Sequence, residues 1–315
     1  MTPQTIVRRG CWALLLVYGT VSIGAGIIAA ELSLHPPRRP LRYVDLARAT
    51  AVRYHANLED VAIDASDGAR LRAWLATPER SNHSVVLLFH GVSDNREGMA
   101  GFAEMFLGHG YSVLLMDSRA HGESGGALAS YGLNEASDVH RWVRWLKSRV
   151  QPGCIFGLGE SMGAAILLQS LNEEPSFCAV AAESSYRNFR EIGFDRAAQF
   201  THTSNWVART LGRPSIEVGL LYARIRYGLD LTLVSPETAV AASHVPVLLI
   251  HGSKDVNTPP RHSVAIKARN PNGVSLWIVP GAVHTGASSA EPQEFQRRVL
   301  EWFNLAAKGR SAARG

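Results

Sequence analysis

The chain has 315 residues, 46% of them hydrophobic and 19% charged, a length suited to one α/β domain with an insertion and a composition that can fill a large core. Its net charge is +5, but residues 1–48 hold six arginines against Glu31 and Asp45. The remainder is therefore close to neutral, which excludes a basic face for a nucleic acid.

Behind Arg8-Arg9, residues 11–30 form twenty consecutive uncharged, mostly apolar positions. As a helix they would reach roughly 30 Å, the thickness of a bilayer's hydrocarbon core. Residues 1–31 are read as an uncleaved single-pass anchor. The competing reading is a signal peptide, giving a secreted protein, but such an apolar region usually runs to only about 7–15 residues, and Ile28-Ala29-Ala30 is a poor cleavage site. Arg8-Arg9 favour an amino terminus inside, while Arg38, Arg39 and Arg42 put similar charge on the other flank. The expectation is that the domain following the anchor lies outside the cytoplasm. The run His35-Pro36-Pro37-Arg38-Arg39-Pro40 cannot be helical and is expected to separate the anchor from everything after it, with 32–57 as linker and lead-in.

Residues 61–65 and 70–76, joined through Asp67-Gly68, read as an antiparallel hairpin. Fully apolar runs come next at 84–90, 111–116, 154–158, 177–182, 245–250 and 274–279, as strands buried on both faces require. Helical patterns lie between them near 97–109, 134–149, 162–172, 259–269 and 292–306. The alternation predicts an α/β fold, a mostly parallel sheet with helices on both faces and active-site loops at the carboxyl ends of the strands. The domain is expected over 58–306, with 307–315 as a tail. One interval breaks the rhythm: residues 186–244 are far too long for a crossover and read as an inserted helical cap that would line or cover a substrate pocket. Cys11 lies in the anchor, and Cys154 and Cys178 each open an apolar run. Those two are expected as inert buried thiols, a bridge being open only if their strands are neighbours.

Gly159-Glu160-Ser161-Met162-Gly163 sits between the apolar run 154–158 and a helix-like run from Ala164. Strand, tight turn and helix make a nucleophile elbow, and Ser161 is the candidate nucleophile. A serine hydroxyl needs a base, and the base needs a carboxylate to hold its tautomer. Of the five histidines after Ser161, His284 alone follows the last strand on a loop at its carboxyl end. Of the nine acids between them, Asp255 lies just past the end of the 245–250 strand and is the acid of choice, with Glu183 as rival. Backbone N–H groups of Met162 and of Val92, in the turn after the 84–90 strand, are the expected oxyanion donors. His90 props that turn and, with His121, is a candidate for the substrate-binding side. No His-x-x-x-His or Cys-x-x-Cys pattern suggests a metal, and no cofactor is implied.

These residues resemble the α/β-hydrolase superfamily. Within it the chain looks most like Bem46-like and abhydrolase-domain-containing serine hydrolases, near the serine aminopeptidase-like and monoacylglycerol-lipase-like branch. The likeness is carried by His90-Gly91, Asp117-Ser118-Arg119-Ala120-His121-Gly122-Glu123-Ser124, Gly159–Gly163, His251-Gly252-Ser253-Lys254-Asp255 and His284. It implies that Asp117 and Arg119 fix a structural turn, in which Ala120 replaces the family's common glycine. It also implies a serine hydrolase acting through an acyl-enzyme on a small-molecule acyl substrate. Ester or thioester cleavage, on substrates that include lipid-like ones, stands first. A peptidase or amidase is the alternative, and a non-catalytic binding protein of the same fold the more distant one.

Overall fold

Each fully apolar run becomes a strand of one eight-stranded sheet. In chain order the strands are β1 (Ala56–Asp64), β2 (Arg70–Pro78), β3 (Ser84–Phe89), β4 (Ser112–Met116), β5 (Cys154–Glu160), β6 (Ala179–Glu183), β7 (Val247–Gly252) and β8 (Val274–Val279). Their order across the sheet is β1-β2-β4-β3-β5-β6-β7-β8. The hairpin β1–β2 and the pair β2–β4 are antiparallel, and every other neighbour is parallel. The computed structural model describes residues 2–312.

Among the described residues the helices are, in chain order, α1 (Pro3–Leu34), α2 (Val44–Arg53), α3 (Ala100–Leu107), α4 (Glu135–Arg149), α5 (Met162–Ser170), α6 (Phe189–Phe200), α7 (Asn205–Thr210), α8 (Arg213–Tyr227), α9 (Pro236–Ala242), α10 (Arg261–Arg269), α11 (Ala287–Ala290) and α12 (Pro292–Ala312). They fall into two units. One is the α/β unit, residues 35–188 with 234 onward; the other is helical and joins α1 to residues 189–233.

In the α/β unit, β3, β4, β5, β6 and β7 are buried almost throughout, as their unbroken apolar sequence demands. On one face Phe156 stacks on Phe303 of α12 at 4.4 Å between ring centroids, and Phe303 in turn on Phe106 of α3 at 5.7 Å. β8 departs from the expectation of two-sided burial. It is the edge strand, Ile278 is exposed, and the Arg298 guanidinium lies 4.8 Å over the Trp277 ring. α12 runs past the expected boundary at residue 306, and Arg310 donates to the Ser176 carbonyl at 2.7 Å. Residues 313–315 of the expected tail lie outside the described residues.

Residues 38–43 are tied to the α/β unit: Arg38 donates to the carbonyls of Ser124 and Gly126, Arg39 pairs with Asp94, and the Glu97 carboxylate accepts from the N–H groups of Arg42 and Tyr43. The helical unit takes 189–233 of the expected cap interval 186–244, since α9 packs on α5 and α10. Cys154 and Cys178 form a disulfide rather than two thiols, because β5 and β6 are neighbours and the Cα atoms lie 5.8 Å apart.

In the helical unit α1 is the central partner of α8. Buried Ser22, Gly26, Ala30 and Leu34 line one face of α1 at four-residue spacing. Glu31 Oε1 accepts from the hydroxyls of Tyr222 and Tyr227 at 2.5 and 2.7 Å, and Tyr18 donates to the Leu211 carbonyl at 2.7 Å. The prolines after His35 end α1, but they do not leave it a free-standing anchor: α1 belongs with the inserted helices.

Candidate active site

Ser161 links β5 to α5 at φ 52° and ψ −115°, a sparsely populated positive-φ conformation that costs about 1–3 kcal/mol for a residue with a Cβ. Neighbouring packing enforces it. A Cβ at Gly163 would sit 2.3 Å from the Phe89 carbonyl, so only glycine lets α5 start against the end of β3. The Ser161 N–H donates to the Glu183 carbonyl at 2.9 Å, pinning the turn to β6. The hydroxyl of this half-buried serine is left to face the loops at the carboxyl ends of β7 and β8.

There the structure brings three distant side chains together. His284 Nε2 lies 2.9 Å from Ser161 Oγ, and His284 Nδ1 lies 2.8 Å from Asp255 Oδ2. A carboxylate can only accept, so Nδ1 carries the proton and Nε2 is the acceptor for the serine hydroxyl. Asp255 Oδ1 accepts from the Thr258 N–H at 2.8 Å, and His251 Nε2 stands 3.4 Å from Oδ2. Burial would raise the Asp255 carboxyl, but hydrogen bonds from His251, His284 and Thr258 outweigh it and hold the group far below the usual carboxylate range.

Glu183, the rival acid, stays out of this relay. Its Oε1 accepts from the Ala287 N–H at 2.8 Å, and the neighbouring Ser184 Oγ accepts from the Thr285 N–H at 3.2 Å. The end of β6 thus holds the loop that carries His284. Burial pushes Glu183 up to about 7, opposed by the Ala287 N–H. Glu160, inside the elbow, is pushed up to about 8 by burial first and then by the charges of Glu183 and Asp94.

Met162 opens α5, so its N–H has no partner within the helix and lies at the positive end of the helix dipole. Val92 follows Gly91, where an added Cβ would come 3.8 Å from Ser161 Cβ, so the turn after β3 passes beside Ser161. His90 and His121 are not positioned to meet a substrate. Both are fully buried, with rings 5.2 Å apart. His90 Nε2 accepts from the Ser118 N–H, and its Nδ1 lies 2.7 Å from the Gly91 carbonyl, so it props the turn. His121 Nδ1 is turned to the Arg119 carbonyl at 2.9 Å. Burial lowers both rings, His121 to about 4, so they sit neutral inside the fold.

Asp117 accepts from the backbone N–H and the guanidinium of Arg96, both at 2.7 Å, and from the Glu123 N–H. Arg119 is held by Asp138 at 2.7 Å through two nitrogens and by Asp67 at 2.8 Å. These two residues build the turn beside the site. Sequence reasoning missed Arg96, buried under Trp74, and His251, whose Nδ1 accepts from the Ser263 hydroxyl and whose Nε2 faces the Thr258 carbonyl at 2.6 Å. His251 braces the Asp255 loop. Its place at the very end of a buried strand, four residues before the acid, was the available signal.

The family described as serine aminopeptidase, S33, matches residues 80–216. That stretch carries β3, the 117–124 turn and the elbow, and ends before Asp255 and His284. The uncharacterized protein YqkD of Bacillus subtilis is 24% identical over 243 residues, covering 77% of this chain and 78% of its own. An uncharacterized protein of Mycobacterium tuberculosis is 29% identical over 248 residues, covering 76% and 75%. Among solved structures, an esterase of Pyrococcus furiosus is similar with a TM-score of 0.68 at 25% identity, covering 86% of this chain and 98% of that one. Sheet order, elbow and these likenesses agree, and the chain belongs to the α/β-hydrolase superfamily.

Proposed function

We propose that this protein is a serine hydrolase that cleaves carboxylic esters or thioesters, lipid-like ones included, through an acyl-enzyme on Ser161. The observation that carries the reading is the continuous relay from Ser161 Oγ through His284 to Asp255, at 2.9 and 2.8 Å. Ser161 Oγ attacks the acyl carbon as His284 Nε2 takes its proton. The N–H groups of Met162 and Val92 receive the oxyanion, and His284 returns the proton to the leaving alcohol or thiol. Water activated by the same imidazole then releases the acid. Asp255 remains anionic throughout and stabilises the imidazolium.

The second reading is a peptidase of the serine aminopeptidase type, favoured by the family matched over residues 80–216. Labelling of the full chain with a fluorophosphonate, compared with Ser161→Ala, tests the nucleophile. A p-nitrophenyl ester series set against aminoacyl anilides then separates the two reactions. A folded wild-type protein that neither labels nor turns over any of them sinks both and leaves a binding protein.

The same reading puts the protein in a membrane through α1, with the α/β unit outside the cytoplasm. Two features support this placement: α1 has a mean hydropathy of 2.0 over its most apolar window, and the Cys154–Cys178 bridge suits an oxidising compartment. Digestion of the α/β unit by a protease added to the cytoplasmic side of sealed vesicles would refute it.

A further inference from the structure

The contact between α1 and α8 fixes the depth at which the inserted helices lie. Both helices carry the same pattern of small residues four apart: Ser22, Gly26 and Ala30 on α1, and Ser215, Gly219 and Ala223 on α8. The two backbones meet along these stripes. A Cβ at Gly26 would lie 2.4 Å from the Ser215 carbonyl, and one at Gly219 would lie 2.9 Å from the Gly26 carbonyl. Close backbone approach through small residues is how helices associate where no water is available to drive them together.

The pairing also covers the wrong half of α1 for an isolated anchor. The apolar run occupies residues 11–30, and Tyr18, Gly26, Ala30 and Glu31 all meet the inserted helices. α1 cannot fill a bilayer with that run unless α8 enters the same layer. The carboxyl-terminal half of α8 suits this, and in its first half the charges of Arg213 and Glu217 pair with each other and Glu217 also with Arg190. Leu221 and Ile225 are 56% and 76% exposed, one turn apart, and share a strip with Val218, which touches α1. Arg224 and Arg226 lie near the carboxyl end, long enough to carry their charge to a headgroup layer. Trp206 of α7 is 70% exposed, the residue type that concentrates at membrane boundaries.

We infer that α8 is a lipid-immersed partner of α1, with Leu221 and Ile225 against acyl chains, so that the insertion is part of the membrane-bound element and not a water-facing cap. This rests on the membrane reading of α1. The test uses the full chain carrying Cys11→Ala and a single nitrobenzoxadiazole label at Leu221→Cys, Ile225→Cys or, in α10 of the α/β unit, Val264→Cys. Each variant is reconstituted in phosphatidylcholine–phosphatidylglycerol vesicles with doxyl-labelled lipid or with aqueous iodide. Labels at 221 and 225 are expected to lose at least about half their emission to doxyl lipid and little to iodide, with the reverse at 264. Adding Gly219→Leu should separate the helices and open position 225 to iodide.

Protein that fails to float with the vesicles overturns the membrane reading and the inference together. Floating protein whose labels at 221 and 225 behave like 264 overturns the inference alone. Labels shielded from both quenchers show a protein surface, such as a second copy, in place of lipid and also overturn it. Shielding that survives Gly219→Leu overturns the role given to α1.

Discussion

Asp255 and Glu183 leave neighbouring strands of one sheet, at the same edge, and both are stripped of water, yet they are driven in opposite directions. Asp255 meets the Thr258 N–H on one oxygen and His284, with His251 close by, on the other, and is held far below its ordinary range. Glu183 receives the Ala287 N–H on Oε1, while Oε2 is buried with no hydrogen-bond partner, and it rises to about 7; Glu160 beside it rises to about 8. Burial raises all three, so the hydrogen-bond donors and charges around each decide which carboxyl stays anionic. Asp255 stays anionic beside the His284 ring. The two glutamates are built to hold protons near neutral pH, with Glu183 serving as an anchor for a loop.

The sharpest way to break this contrast is Asp255→Asn. An amide in that place presents a donor or a poor acceptor to Nδ1 and favours the wrong tautomer, so kcat/KM on an ester should fall on the order of 10³- to 10⁴-fold with the fold intact. A loss under tenfold would mean that another acid serves the histidine. Glu183→Ala removes the acceptor for the Ala287 N–H, and a loosened His284 loop should lower kcat about tenfold with little change in KM. Glu183→Gln keeps that acceptor and should recover most of the rate. Equal losses in both variants would show that the carboxyl's proton, and not its hold on the loop, is what matters.

Glu160→Gln sharpens the comparison through stability. A carboxyl whose folded pKa of about 8 stands above its ordinary value of 4.5 binds more protons when folded across that interval. The wild type should therefore lose stability as pH rises from about 4.5 to about 8 and then level off. The glutamine variant lacks this loss. Its advantage should be absent near pH 4.5 and reach about 1 kcal/mol or more above pH 8, read from urea unfolding at each pH. A constant difference at all pH values would refute the raised pKa. The smallest effect is expected in the turn beside the site. Ala120 is buried at φ 60°, where the family's common residue is glycine, so Ala120→Gly should stabilise by about 0.5–1 kcal/mol and leave the rate unchanged.

Much of the α/β unit could be read from the chain because burial on two faces writes itself as unbroken apolar runs, and β3 through β7 lie where those runs are. Ser161, Asp255 and His284 were legible for a related reason: each is fixed to a strand end, so position along the chain implied position on one rim. The features that escaped depend on which elements become neighbours. Nothing in residues 22–30 or 215–223 alone announces that two small-residue stripes will meet. Likewise, Cys154 and Cys178 could be paired only once β5 and β6 were known to be adjacent. His90 and His121 look like site residues by type, but their burial follows from the packing of the turn after β3 on the 117–124 turn, which the sequence does not display. The edge position of β8 was hidden because Val274–Val279 is as apolar as a central strand.

The bridge between Cys154 and Cys178 closes a ring of the chain that contains β5, Ser161 and α5 in full. An unfolding molecule in an oxidising medium can release every other strand and still keep Ser161 on a short covalent circle, with about 3.5 kcal/mol of chain freedom already surrendered. Trypsin meets no lysine or arginine between Arg149 and Arg187, so a reagent caught by Ser161 would emerge on one looped peptide that opens only when a reductant is added.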